Sequence, residues 1–297
     1  MPAAVRFGLL NVNKPAGLTS RQVVDHVAKL VRPQKAGHAG TLDPLATGVL
    51  VVCVGKATRL IEMVQEQPKT YAASFRLGCQ SDTDDVTGNM SEVAVTSEIT
   101  RAQIEQALPA FCGQIRQVPP SFSAVHVEGK RAYDLARRGQ EVAIEAREVE
   151  VHRLELTRFA YPELDLFIEC GSGTYIRSIG RDLGQMLGCG AVMSALVRTR
   201  IGPFRIEDAV TLEQLNRETV DQYLLPPTST LGGLPKYSAS SADLHNIRAG
   251  RSFDPRTPID LLNAGMVAVL GTDQELVCLA EFDPEHNRLI PRRVFLD

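Results

Sequence analysis

The sequence predicts an α+β fold: a central mixed or antiparallel sheet flanked by helices, followed by a small β-rich unit at the C-terminus. Three observations carry this expectation. Helical and strand-like stretches intermix without regular βαβ repetition, which disfavours a doubly wound sheet. Residues 49–54 are apolar at every position, as a strand covered on both faces must be, so they belong inside the sheet. From residue 234 onward short strands alternate with turns. At 297 residues, 44% of them apolar, the chain can bury a full core in one large unit and a smaller one.

Each element has its own signal. Residues 9–12 read as a short strand, broken by Lys14-Pro15-Ala16-Gly17, where proline and glycine together demand a turn. A helix follows, capped by Thr19 or Ser20, carrying Val23, Val24, Val27, Leu30 and Val31 as one apolar stripe and ended by Pro33. Residues 37–48 form a loop that leads directly into the 49–54 strand and therefore hangs on a rigid element. Residues 57–65 read as a short helix and 70–77 as a strand. Thr100 and Gln103 make a capping box that opens an amphipathic helix through Ile104, Leu108 and Phe111. A capped segment at 131–138 precedes two strand-like stretches, around Val142 and Ile144 and around Val149 and Val151. Leu164, Leu166, Ile168 and Cys170 alternate as a strand, which Gly171-Ser172-Gly173 turns into a helix. Pro226-Pro227-Thr228-Ser229-Thr230 and Gly232-Gly233 are the best linker, so the expected division is 1–230 and 231–297. Strands at 266–270 and 276–280 fall in the second part.

Composition excludes several classes. The longest apolar run, 49–54, is far below the ~20 residues of a spanning helix. No signal-peptide pattern opens the chain, and a cytoplasmic protein with no membrane partner is expected. Six cysteines without a C-x-x-C pair point to reduced, mostly buried thiols, neither a disulfide framework nor a zinc site. Asp82-Thr83-Asp84-Asp85 has Val86 and Thr87 where a calcium loop needs a ligand and a glycine, so it reads as a surface turn. Gly171-Ser172-Gly173 lacks the third glycine of a dinucleotide fingerprint. No metal or cofactor is expected. Net charge is -3, which argues against wholesale binding of a polyanion, yet the distribution is uneven. Residues 14–38 hold five Lys/Arg against Asp25 alone, and 171–205 hold five against Asp182 alone.

Those two basic stretches hold or adjoin the motifs. In Gly37-His38-Ala39-Gly40-Thr41-Leu42-Asp43-Pro44-Leu45-Ala46-Thr47-Gly48, Pro44 biases Asp43 away from helical dihedrals, and the glycines permit close backbone approach to a ligand. A carboxylate is presented at a fixed angle. With Asn13-Lys14-Pro15-x-Gly17-x-Thr19-Ser20, this loop resembles the TruB family of tRNA pseudouridine-55 synthases. Further matches follow in order: Lys69-Thr70-Tyr71, Pro119-Pro120-Ser121-Phe122-Ser123-Ala124, Gly129-Lys130-Arg131-Ala132-Tyr133, Gly173-Thr174-Tyr175-Ile176-Arg177, and Leu196-Val197-Arg198-Thr199-Arg200 through Phe204. The resemblance spans about residues 8–206.

The resemblance implies a pseudouridine synthase fold with a thumb-like RNA-binding segment near 113–158 and a PUA-like second unit. It implies an isomerase that acts on a T-arm uridine of tRNA, by itself, as a monomer, with no guide RNA. It places the nucleophilic aspartate at Asp43, the uracil-stacking tyrosine at Tyr71, a second tyrosine at Tyr175, the arginine paired with the aspartate at Arg177, and an apolar pocket residue at Leu196. His38 would fill the gap left by the everted nucleotide. Lys14, Arg131, Arg198 and Arg200 would contact phosphates, which position RNA without reading bases. Such residue types suit the chemistry. The departing uracil is also the returning nucleophile, so one carboxylate suffices where a glycosidase needs two. Asp43 must be ionised, to attack the sugar or to assist its deprotonation, and Arg177 would favour that charge. Two positions depart from the family pattern, Ala39 for threonine and His126 for lysine. A non-catalytic RNA-binding protein on the same scaffold is the rival, and the intact set of Asp43, Tyr71, Tyr175 and Arg177 argues against it.

Overall fold

A computed structural model describes residues 7–95, 98–123, 126–127, 130–131, 144–256 and 265–296. The fold is α+β. Its main sheet orders seven strands as Gly8–Lys14, Thr47–Val54, Ala191–Ile201, Lys69–Leu77, Glu163–Cys170, Arg147–Ala160 and Gly113–Gln117. Ala36–His38 pairs beside Thr47–Val54, and Phe204–Arg205 beside Ala191–Ile201. Thr47–Val54 and Ala191–Ile201 run parallel while the other pairings are antiparallel, so the sheet is mixed.

The strand that is apolar throughout is internal, as its composition requires. Leu50, Val52 and Val54 pack on one face with Val23, Val24 and Val27 of the Ser20–Leu30 helix and with Val31, which caps its C-terminal end. Val49, Val51 and Cys53 pack on the other with Ala57, Leu60 and residues of the second sheet. Thr19 is the helix cap, in a reciprocal capping box with Gln22, which leaves the hydroxyl of Ser20 free for another task. The 37–48 loop is shorter than expected, because Gly37 and His38 pair with Cys53 and Val52 as a strand.

Other elements differ in kind or length. Residues 55–66 are a 3-10 turn, Gly55–Leu60, running into the Ile61–Glu66 helix. The Arg101–Ala107 helix, with its Thr100–Gln103 capping box, stops where Pro109 removes a backbone donor and continues as the 3-10 turn Leu108–Phe111. Val149 and Val151 belong to one fourteen-residue strand, Arg147–Ala160, whose register shifts twice. Of the expected 131–138 helix, Arg131 ends a two-residue strand paired with His126–Val127, and residues 132–138 lie outside the described residues, as does Val142. The ends of the 113–158 segment are strands of the main sheet, Gly113–Gln117 at its edge and Arg147–Ala160 next to it.

The second sheet contains Lys236–Ser238, Met266–Leu270, Leu276–Asp283 and Arg288–Val294 in that order, with the Ser241–Arg248 helix against it. The stretch expected to be a linker is packed. Pro227–Thr230 is a 3-10 turn, Thr230 is buried, and Leu231 joins an apolar cluster shared by the two sheets. Among the cysteines, Cys112 is exposed and the other five are buried and free. Among the described residues, no helix is long and apolar enough to cross a membrane.

Candidate active site

The loop carrying Asp43 is clamped from two sides. From the N-terminal side, Lys14 Nζ donates to the carbonyls of Pro15, Leu18 and Pro44 at 2.9, 2.6 and 3.4 Å. Gly17 N–H also donates to Pro44 O, at 2.8 Å. Ser20 Oγ accepts from Leu42 N–H at 2.8 Å and donates to Leu42 O at 3.1 Å. From the sheet side, the Arg198 guanidinium donates to Val49 O at 2.8 Å, Gly40 O at 3.1 Å and Thr41 O at 3.4 Å. Gly48 lies at φ +98° where the two parallel strands meet, and a Cβ there would stand 2.3 Å from Arg198 O. Only glycine allows that approach.

Above the clamped loop is a cavity of about 310 Å³, lined by Thr41, Leu42, Asp43, Tyr71, Phe122, Ser123, Thr174, Tyr175, Ile176, Arg177 and Leu196. The five residues expected to hold the base and its chemistry, Asp43, Tyr71, Tyr175, Arg177 and Leu196, thus line one cavity. Tyr71 and Leu196 come from neighbouring strands: Tyr71 is in register with Arg198, and Ala73 with Leu196. Tyr175 occupies the cap position of the Ile176–Met186 helix. Its backbone bonds reciprocally with the Gln117 amide, at 2.8 and 3.1 Å, and its ring carries the Arg147 guanidinium 4.7 Å from the centroid.

Arg177 joins these parts. It grips Asp43 through two bonds, Nε to Oδ2 at 3.0 Å and Nη2 to Oδ1 at 3.3 Å, the fork geometry that fixes a carboxylate in both position and plane. It also donates to Thr83 O at 2.8 Å and Phe122 O at 3.0 Å, and stands 3.7 Å from Asp85. The Asp43 side chain keeps 34% of its surface open to the cavity while that of Arg177 keeps 6%. Desolvation pushes the Asp43 carboxyl up, helped by the nearby Asp85 charge and opposed by Arg177 and Lys14. Burial likewise raises the Tyr71 phenol, which stays protonated. Burial, together with the Arg198 and Arg21 charges, lowers the His38 imidazole.

Two of the expected phosphate contacts are corrected by this geometry. Lys14 and Arg198 are 0% and 1% exposed. Their donors are spent on backbone carbonyls beneath the loop, so neither reaches an RNA backbone. Arg200 is exposed, with its Nε donating to Gly202 O at 2.5 Å. His38 lies half-buried on the strand that enters the loop, and its Nδ1 has no partner among the described residues. The side chain of Arg131 lies outside the described residues.

Other residues escaped the sequence reading. Asp82-Thr83-Asp84-Asp85 is a turn, exposed at Asp82 as expected but buried at its Asp85 end. The Asp85 Oδ1 is bonded by the Thr83 hydroxyl, the Thr87 N–H and the Thr87 hydroxyl. Asp84 pairs with Arg181 at 3.0 Å. The available signal was reciprocal charge: Arg177 and Arg181, one helical turn apart, need two acids, and two adjacent aspartates had no other assignment. Ser20 and Ser123 stand inside the quoted motifs with nothing to mark these roles, and Gln117 left no trace.

Two family models match the chain: TruB family pseudouridylate synthase (N terminal domain) over residues 28–176, and tRNA pseudouridylate synthase B C-terminal domain over 177–231. Among similar curated proteins, tRNA pseudouridine synthase B of Syntrophomonas wolfei is 43% identical, with 97% of this chain and 98% of the relative covered. That of Moorella thermoacetica is 41% identical, with 94% and 95% covered. A solved Cbf5-Nop10-Gar1 complex contains a chain with TM-score 0.75 and 28% identity, covering 98% of this chain and 86% of that one.

Proposed function

Because the chain belongs to the TruB family of pseudouridylate synthases, we propose that it isomerises the T-loop uridine at position 55 of tRNA, with Asp43 as the reacting carboxylate. The observation that carries this reading is the two-point Arg177 grip on Asp43 at the edge of a cavity walled by two tyrosines. The uridine must leave its stack to reach that carboxylate, at a cost of a few kcal/mol. His38 stands just before the loop to fill the vacancy. Tyr71 and Tyr175 give the everted base aromatic faces and Leu196 an apolar contact. The N1–C1′ bond breaks, the ring turns, C5 bonds to C1′, the C5 proton leaves and N1 gains one. Nothing is oxidised. Asp43 works in its ionised form, either attacking the sugar or assisting its deprotonation, and Arg177 holds that charge against the desolvating wall. The protonated Tyr71 phenol accepts a proton only as it gives its own, as a relay at C5 requires. In this reading residues 1–230 carry the chemistry, and residues 231–297 add auxiliary contact.

The test is a nucleotide-resolution modification assay on unmodified tRNA, with purified protein and neither metal nor nucleotide added. Conversion at the T-loop uridine is expected, and Asp43→Asn should abolish it while leaving tRNA binding in place. Conversion of other RNAs but not tRNA would sink the substrate assignment. The likeness to the Cbf5 chain favours a second reading, in which the protein works only inside a larger assembly. Activity of the isolated chain on tRNA alone would exclude it.

A further inference from the structure

One polar group on the cavity wall has no structural employment. Ser123 is 5% exposed and lines the cavity, and its Oγ has no hydrogen-bond partner among the described residues. Burying a hydroxyl unpaired costs stability, so such a group persists where something other than the fold uses it. The chain leading to it is held in place. Gln117 is tied to the Tyr175 backbone. Val118 O accepts from Ser178 Oγ at 2.9 Å and Arg181 Nη2 at 2.8 Å. Phe122 O accepts from Arg177 Nη2 at 3.0 Å. The guanidinium that grips Asp43 therefore also sets the carbonyl next to Ser123, and the hydroxyl and carboxylate keep a fixed relation.

We propose that Ser123 Oγ is a substrate-contacting group that donates a hydrogen bond to a carbonyl oxygen of the everted uracil, O4 before the ring turns and O2 after. This rests on the function proposed above. Turning uracil about the line through N3 and C6 exchanges N1 with C5 and, at the same time, O4 with O2. A donor on the wall therefore meets an equivalent acceptor in both orientations. A hydroxyl rotates freely about its Cβ–Oγ bond to follow either one. It carries no charge, so it guides the loose ring without competing with Arg177 for Asp43.

The experiment compares wild type and Ser123→Ala for thermal midpoint and for single-turnover conversion of a T-arm RNA. The RNA carries either uridine or 4-thiouridine at the target, sulfur being the poorer acceptor. Alanine breaks no hydrogen bond among the described residues, so the midpoint should be unchanged or higher. Conversion of the uridine substrate should fall about three- to tenfold, the size of one neutral hydrogen bond. The 4-thiouridine substrate should show a much smaller ratio between the two proteins. A lowered midpoint, no loss on uridine, or equal losses on both substrates would each overturn the inference. Wild-type protein that fails to convert the uridine would overturn the function reading and this inference together.

Discussion

Lys14 carries three N–H donors and is surrounded by three carbonyl oxygens. Desolvation lowers its pKa from 10.5 to about 8, against the raising effect of Asp43. Between those values the unfolded chain holds the more protons, so the Lys14 contribution to stability rises with pH across that window and is least favourable below it. What Lys14 gives the fold is its three carbonyl bonds, whose acceptors are left unpaired when the ammonium is removed. Arg198→Met and Lys14→Met are therefore expected to lower the denaturant midpoint and leave the salt slope of tRNA binding unchanged. Arg200→Gln should instead reduce that slope by about one unit per lost phosphate contact; fluorescence titrations at several salt concentrations would check this. In sequence the three cations look alike, because a sequence shows charge and not the number of carbonyls around it. Asp43 titrates in the opposite sense. Its pKa is raised, foremost by burial. The conversion rate should fall as pH drops through a value above the ordinary carboxylate range. Its contribution to stability is present below the unfolded value and lost as pH rises through the folded one. Asp43→Asn should thus not lower the thermal midpoint at neutral pH while ending conversion, and a clear drop would show that the Arg177 grip outweighs the desolvation.

At the scale of elements, the loop is rigid because its neighbours were built around its backbone. The Asn13 to Ser20 motif reads in sequence as a turn and a helix cap, and both are present. Its further task, holding residues 42–44, depends on a contact 22 residues away that no local pattern encodes. The 49–54 strand was legible because burial on both faces leaves an unbroken apolar run. The pairing of residues 36–38 was not, since a three-residue edge segment has no periodicity to read. Ser20→Ala tests the clamp. It leaves the Leu42 N–H without its partner in a buried site, a cost of about 1–3 kcal/mol. It also frees a loop whose displacement by about 1 Å can cost a hundredfold in rate. Urea unfolding should show the first effect and single-turnover kinetics the second, with tRNA affinity nearly unchanged. A rate equal to wild type would mean that Lys14 and Arg198 suffice to hold Asp43.

For the whole molecule, the apolar cluster spanning the two sheets decides how the chain unfolds. Leu9, Val49, Val51 and Cys53 from the main sheet pack with Ala268, Leu270, Leu276 and Leu279 from the second, and Leu231 and Phe295 join them. Polar contacts close the same seam. Lys56 Nζ donates to Phe295 O and Leu296 O at 3.2 and 2.8 Å, Arg59 donates to Val294 O, and Arg293 donates to Arg59 O and pairs with Glu62. The sequence marks this region as a tether because prolines, glycines and hydroxyls cluster there, and composition cannot tell a free tether from one whose next leucine is buried. Since the strand after the catalytic loop and the Gly8–Lys14 strand paired with it both contribute to the seam, loosening it should reach the active site. Leu279→Ala, at a position 1% exposed, should cost about 2–5 kcal/mol as one cooperative transition. Circular dichroism and loss of T-loop conversion should then share a midpoint along a denaturant series. If activity survives a first transition in which the second sheet melts alone, the two parts are energetically separate and the shared cluster is only a contact.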